Sequence, residues 1–223
     1  MNSAKPCTPL SDKINAAKTI YAQCPYWQQS DAALKLLGEK FPSFDREICL
    51  LKSVVINALY GTQVFAIAKM ADHVCKTMYQ HQGNKDKPDI LVDAIATVSV
   101  GGGKTKHFFS FASKFCHFFV DDEKFPIYDE AARTTLALHL GKSEPRYTTF
   151  CSKIEELRKL GNLSCSLSAL DRYLWIRGLH VKYEKFGKAA KINTEIKQFF
   201  QQAEAENDAN FAVLINQSNS DKR

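Results

Sequence analysis

The 223-residue chain has no apolar run long enough to cross a bilayer. A span needs about 18 uninterrupted apolar residues, and the longest candidate, residues 54–68, is broken by Asn57, Gly61, Thr62 and Gln63. Its first ten residues carry one lysine and no apolar centre, so they lack the pattern of a secretory signal. The seven cysteines, at 7, 24, 49, 75, 116, 151 and 165, include no CxxC, CxC or CxxxC spacing. That excludes a locally encoded zinc knuckle or iron–sulfur cluster, and the thiols read as reduced, mostly buried small hydrophobes. The six histidines contain no HxxxH or HExxH pair, and His73 with Cys75 and Cys116 with His117 are poorly spaced for chelation. The expectation is a cytoplasmic or nucleoid-type protein with no membrane association, no cofactor and no protein-bound metal cluster.

Alternating strand patterns and internal repeats are also missing, residues 96–100 being the best strand candidate. What is present is a 45% apolar content, enough for a core, and a formal net charge of +6 with pI near 8.9. The charge favours an anionic partner, nucleic acid or a phosphorylated ligand ahead of a membrane, although the lysines are spread along the chain.

Helical periodicity dominates. A helix is expected over 11–21 behind a serine cap, a short one after Ser30 to about Phe41, and a strong one over 44–60 with Ile48, Leu51, Val55 and Leu59 at helical spacing. Further helices are expected over 64–79, from Asp89 through Ile95, over 104–117, 130–140, 147–160, 168–176 and 189–205. Ser168 to Asp171 looks like a capping box, Asp129 stands where an N-cap of the 130–140 helix would be, and Gly141 ends that helix. The fold class is all-α, a two-layer helical fold with a helix-hairpin-helix and a cleft between layers. The division expected is 11–88 as a first layer, 89–178 as a core, 179–205 as a helical extension and 206–223 as a loose polar tail. Asn57, polar within an apolar helix, needs a partner such as a ligand or a helix end.

Two local features bear on chemistry. The stretch VSVGGGKT (98–105) approaches a phosphate-binding loop, but Val98 stands where that loop needs glycine and no parallel sheet follows, which argues against an ATPase. The other reading is a glycine hairpin at Gly101, Gly102 and Gly103 between two helices. Free N–H groups of the second helix, with Lys104 and Lys106 beside them, would then hold a DNA phosphate. The bland reading of the same residues is a turn between two core helices.

The order glycine hairpin, lysine, aromatic helix, then FPIYD (125–129) resembles the core of the helix-hairpin-helix DNA glycosylases, in which GxGxK is followed by proline, an aliphatic residue and aspartate. KTKHFFSFASKF (104–115) is similar to the lysine-bearing helix of the archaeal-type 8-oxoguanine glycosylases, and LDRYLWIRG (170–178) to a closing helix of that group. The resemblance implies double-stranded DNA as partner and excision of an oxidised purine such as 8-oxoguanine, with lyase chemistry through a lysine Schiff base. It assigns DNA binding to Gly101, Gly102, Gly103 and Lys104, and a carboxylate role to Asp129. Three lysines compete as nucleophile, with Lys106 and Lys104 ranked ahead of Lys114, whose plain reading is a stem over the core with its charge at the rim. Phe108, Phe109, Phe111, Phe115, Phe118 and Phe119 read mainly as core, and Tyr173 and Trp175 as core anchors or walls of a base pocket. The rival reading is a catalytically inactive DNA-binding or defence-associated module on the same scaffold.

Overall fold

The computed structural model describes residues 8–82, 86–99, 102–142 and 144–216. Among them are eleven α-helices: α1 (Leu10–Tyr21), α2 (Pro25–Lys40), α3 (Arg46–Tyr60), α4 (Ile67–Gln80), α5 (Pro88–Ala96), α6 (Phe109–Phe119), α7 (Glu130–Leu140), α8 (Tyr147–Leu160), α9 (Leu167–Phe186), α10 (Thr194–Glu206) and α11 (Ala209–Ile215). One antiparallel hairpin, β1 (Thr97–Ser99) with β2 (Thr105–His107), interrupts them. The protein is therefore mostly helical, as its periodicity demands.

Several boundaries move for identifiable reasons. Ser11 lies inside α1, which starts after Pro9 with no side-chain cap. The cap of α9 is Ser166, whose hydroxyl accepts from the Ala169 N–H at 3.2 Å, so Ser168 lies within the helix, and α9 runs ten residues beyond the expected end at Ile176. The region read as a loose tail contains α11, capped by Asp208, which accepts from the Phe211 N–H at 2.7 Å. Phe211 and Leu214 of α11 are buried, so a helix too short to stand alone is held by tertiary packing. Residues 217–223 lie outside the described residues.

The largest local difference is between Thr97 and Phe108. A helix is expected from Lys104, but Thr105–His107 pairs with Thr97–Ser99, in register Thr97 with His107, Val98 with Lys106 and Ser99 with Thr105. Gly102 and Gly103 have φ of 59° and 71°, the left-handed backbone that glycine enters without a Cβ clash, and they form the tip of this hairpin. Gly101 lies outside the described residues. Helix α6 thus begins at Phe109, five residues after Lys104, and its first turn does not adjoin the glycines.

The chain divides into two compact units that interleave along the sequence, in place of the consecutive segments expected. The first comprises Met1–Gln28, Glu130–Glu144 and Ser152–Arg223, and the second Gln29–Asp129 with Pro145–Cys151. In the first unit α9 is central and meets α1, α7, α10 and α11. Helices α7 and α9 cross at Gly178, where a Cβ would lie 2.0 Å from the Ala131 carbonyl oxygen, so only glycine permits the approach. Tyr173 and Trp175 belong to this core. The hydroxyl of Tyr173 is 2.8 Å from His139 Nε2, and Trp175 meets Trp27 edge to face.

In the second unit α3 packs on α4 and α6, and α5 on α6. The aromatic helix α6 behaves mainly as core: Phe111 and Phe115 are wholly buried, and Phe115 meets Phe44 and Phe119. Asn57 finds its partners at the end of its own helix. Its Oδ1 accepts from Thr62 Oγ1 and the Val64 N–H, and its Nδ2 donates to the Val64 carbonyl, bracing the loop to α4.

Candidate functional site

Helix α6 places Ser110, Ser113, Lys114 and His117 at three- and four-residue spacings, so they share one side of the helix. Lys114 is only 4% exposed. Its Nζ donates to Ser110 Oγ at 2.9 Å and to Asp129 Oδ2 at 3.2 Å. The ring of Tyr60, the last residue of α3, has its centroid 6.0 Å from the same nitrogen, and the Tyr60 hydroxyl donates to Asp31. The ammonium is therefore within the protein and not at a rim, paired with a carboxylate whose side chain is 17% exposed. Breaking such a pair by removing one partner costs about 3–5 kcal/mol, because the other charge stays buried.

Asp129 is held by its backbone approach. The Tyr128 N–H donates to Ser113 Oγ at 3.0 Å, the Tyr147 hydroxyl donates to the Pro126 carbonyl at 3.0 Å, and His117 Nδ1 donates to the Phe125 carbonyl at 2.9 Å. Phe125 is itself wholly buried. Three side chains thus satisfy the polar backbone of the FPIYD segment, as buried peptide groups require. Burial pushes the His117 imidazole below its ordinary pKa, the bond to Phe125 opposing, so at neutral pH it serves as a neutral donor. Complete burial pushes the neighbouring Cys116 thiol well above its usual range, leaving it inert.

The three candidate lysines separate on geometry. Lys104 and Lys106 are exposed on the hairpin, Lys106 opposite Val98. Of the three, Lys114 is the one at ion-pair distance from Asp129. The expected order, Lys106 and Lys104 ahead of Lys114, is therefore not the order that the geometry favours. The reason lies in β2: counting residues from the glycines assumed a helix where the chain is extended. Gly102, Gly103 and Lys104 are exposed at the hairpin tip, available to an anion but not as the first turn of a helix.

Sequence reasoning overlooked Ser110, Ser113 and His117 as supports, although their helical spacing from Lys114 was a usable signal. Tyr60, with Asp31 on its hydroxyl, gave none, because it reaches Lys114 through the packing of α3 on α6. Phe65, 97% exposed in the loop braced by Asn57, was also overlooked. Among the described residues there is no group of histidine, cysteine and carboxylate side chains able to hold a metal ion, and no helix long and apolar enough to cross a membrane. The six described cysteines are free thiols.

The model of the HI_0787_N family, described as an N-terminal domain, matches residues 10–124, more than half of the chain. The match takes in Lys114 and ends five residues before Asp129. The chain is also similar to an uncharacterized protein of Haemophilus influenzae, 31% identical over 131 residues, which cover 56% of this chain and 63% of that protein. It thus spans less than two thirds of that relative's length. No solved structure matches the chain. The chain belongs to the HI_0787_N family.

Proposed function

We propose that this member of the HI_0787_N family is a DNA glycosylase-like protein that excises an oxidised purine, such as 8-oxoguanine, with Lys114 as the amine and Asp129 as its carboxylate. The observation that carries the reading is the buried contact of Lys114 Nζ with Asp129 Oδ2 at 3.2 Å. An ammonium has no lone pair to attack with, so the amine must first give up a proton, and the adjacent carboxylate is the acceptor in reach. The neutral amine then bonds to the sugar C1′ as the glycosidic bond breaks, and the base leaves with the bonding pair and takes the proton that Asp129 holds. A proton from the alkylated amine passes to the ring oxygen O4′, the C1′–O4′ bond breaks with its pair on O4′, and a protonated imine forms between Nζ and C1′. Once it has passed its proton to the base, the Asp129 carboxylate is an anion again and stabilises the positive charge on the sugar-bound nitrogen.

Two further features support a nucleic-acid substrate. Lys104 and Lys106 on the exposed hairpin can meet backbone phosphates. Extruding a base leaves a gap in the stack, and an exposed apolar side chain such as Phe65 can fill it. One observation favours the rival reading of a silent DNA-binding module: Lys114 is buried enough to serve as an internal ion pair.

Borohydride trapping on a duplex containing 8-oxoguanine separates the two. Reduction of the imine should leave a covalent protein–DNA adduct, diminished by at least about 100-fold in Lys114→Gln and in Lys114→Arg, the latter keeping the ion pair. Lys104→Gln and Lys106→Gln should keep the adduct. Absence of any adduct from a wild-type chain that binds the duplex overturns the catalytic reading in favour of the silent module.

A further inference from the structure

The turn that closes α9 concentrates unmatched positive charge. Lys185, Lys188 and Lys191 recur every third residue, and Lys197 of α10 donates from Nζ to the Lys188 carbonyl at 3.0 Å, which brings a fourth lysine to the same turn. Two other lysines of this unit are matched, Lys182 with Glu130 at 3.1 Å and Lys153 with Glu156 at 2.8 Å. Among the described residues none of the four makes an ion pair with a carboxylate. The adjacent Glu184 is taken up by Arg177, at 3.2 Å. Phe186 lies among them, 48% exposed, with the Lys185 ammonium 5.1 Å from its ring centroid.

Four lysines at one turn with no carboxylate partner leave a local excess of positive charge, which a polyanion offsets by supplying the counter-charge. An exposed ring between them offers a face for a sugar or a base. We propose that this turn is a second contact surface for DNA, gripping the phosphate backbone of the duplex without reading its sequence. It belongs to the unit that does not contain Lys114 and Asp129, and the identification of the polyanion as DNA rests on the function proposed above.

The test is binding of the full chain to a fluorescein-labelled, undamaged duplex over a series of salt concentrations. The variant carrying Lys185→Gln, Lys188→Gln, Lys191→Gln and Lys197→Gln should bind at least about 10-fold more weakly. Its slope of log K against log salt should be shallower by about three, close to one for each phosphate no longer neutralised. Replacing the same four lysines by arginine should restore both. Circular dichroism checks that each variant is folded. Wild-type affinity and slope in the folded glutamine variant overturn the proposal, as does loss of binding to phosphatidylserine vesicles with duplex binding intact. Because the duplex is undamaged, the result does not depend on Lys114: a chain that grips DNA through this turn but gives no borohydride adduct overturns the catalytic reading alone.

Discussion

The two units of this protein use polar residues differently. The first carries seventeen Lys and Arg against twelve Asp and Glu, the second thirteen against twelve. Both units nevertheless bury charged or titratable groups, Lys13, Asp171, Arg177 and His180 in the first and Lys52, Lys114 and His117 in the second. Lys52 is wholly enclosed, donating to the Ser43 carbonyl at 2.9 Å with its ammonium 4.2 Å from the Phe44 ring centroid. The first unit satisfies its buried Arg177 along α9 itself, with His180 at 3.1 Å and Glu184 at 3.2 Å, and crosses α7 closely on the same helix. Buried polar groups are costly unless satisfied, and in the second unit Ser113, Lys114 and His117 of α6 are satisfied by the segment ending at Asp129.

Three measurements sharpen or break that contrast. The largest effect should come from the first unit's crossing. Gly178→Ala drives a methyl group into the Ala131 backbone, which cannot move aside as a flexible side chain could, and should cost at least about 3 kcal/mol by urea unfolding. A change below about 1 kcal/mol would show that the crossing is looser than the packing requires. In the second unit, Ser113→Ala leaves the buried Tyr128 N–H without its acceptor and should cost about 1–2 kcal/mol. It should also lower borohydride trapping more than Ser166→Ala, a cap removal of similar energy in the other unit. Equal trapping by the two variants would reduce Ser113 to a purely structural support.

The smallest effect is a pH dependence. His180 is pushed down to about 4, chiefly by burial and also by the Arg177 guanidinium, with Glu184 opposing. Its folded-state value lies below the unfolded value of about 6.5, so the unfolded chain binds the proton more readily. Stability should therefore be undiminished above about pH 6.5, fall between there and pH 4, and level off below, a loss on the order of 2 kcal/mol. His117 in the second unit acts in the same direction. Comparing urea midpoints at pH 7.5 and 5, the difference should shrink in His180→Phe and persist in part through His117. An unchanged difference in that variant would assign the acid sensitivity to the second unit.

Much of the helical layout is legible because amphipathic periodicity and punctuation are local. Gly61 and Gly141 end α3 and α7 where expected, and Pro88 opens α5. The hairpin at 97–107 is half legible. Thr97, Val98 and Thr105 favour an extended chain, and residues 96–100 are the best strand candidate, but a strand needs its partner and β2 on its own reads as the start of the aromatic helix. That one misreading carries into the choice of lysine. The gap of fifteen residues between Lys114 and Asp129 could not place them together, since the contact depends on how Ser113, His117 and Tyr147 hold the intervening backbone.

The sequence by itself determined the helical class, the overall basic charge and the lack of a metal-binding spacing. Each follows from composition or from residues within a few turns of one another. Only the tertiary structure decided which lysine meets the carboxylate, where the glycines sit and which four lysines stand together without a carboxylate partner. Those are properties of distance, and distance between residues remote in sequence is set by which surfaces bury each other.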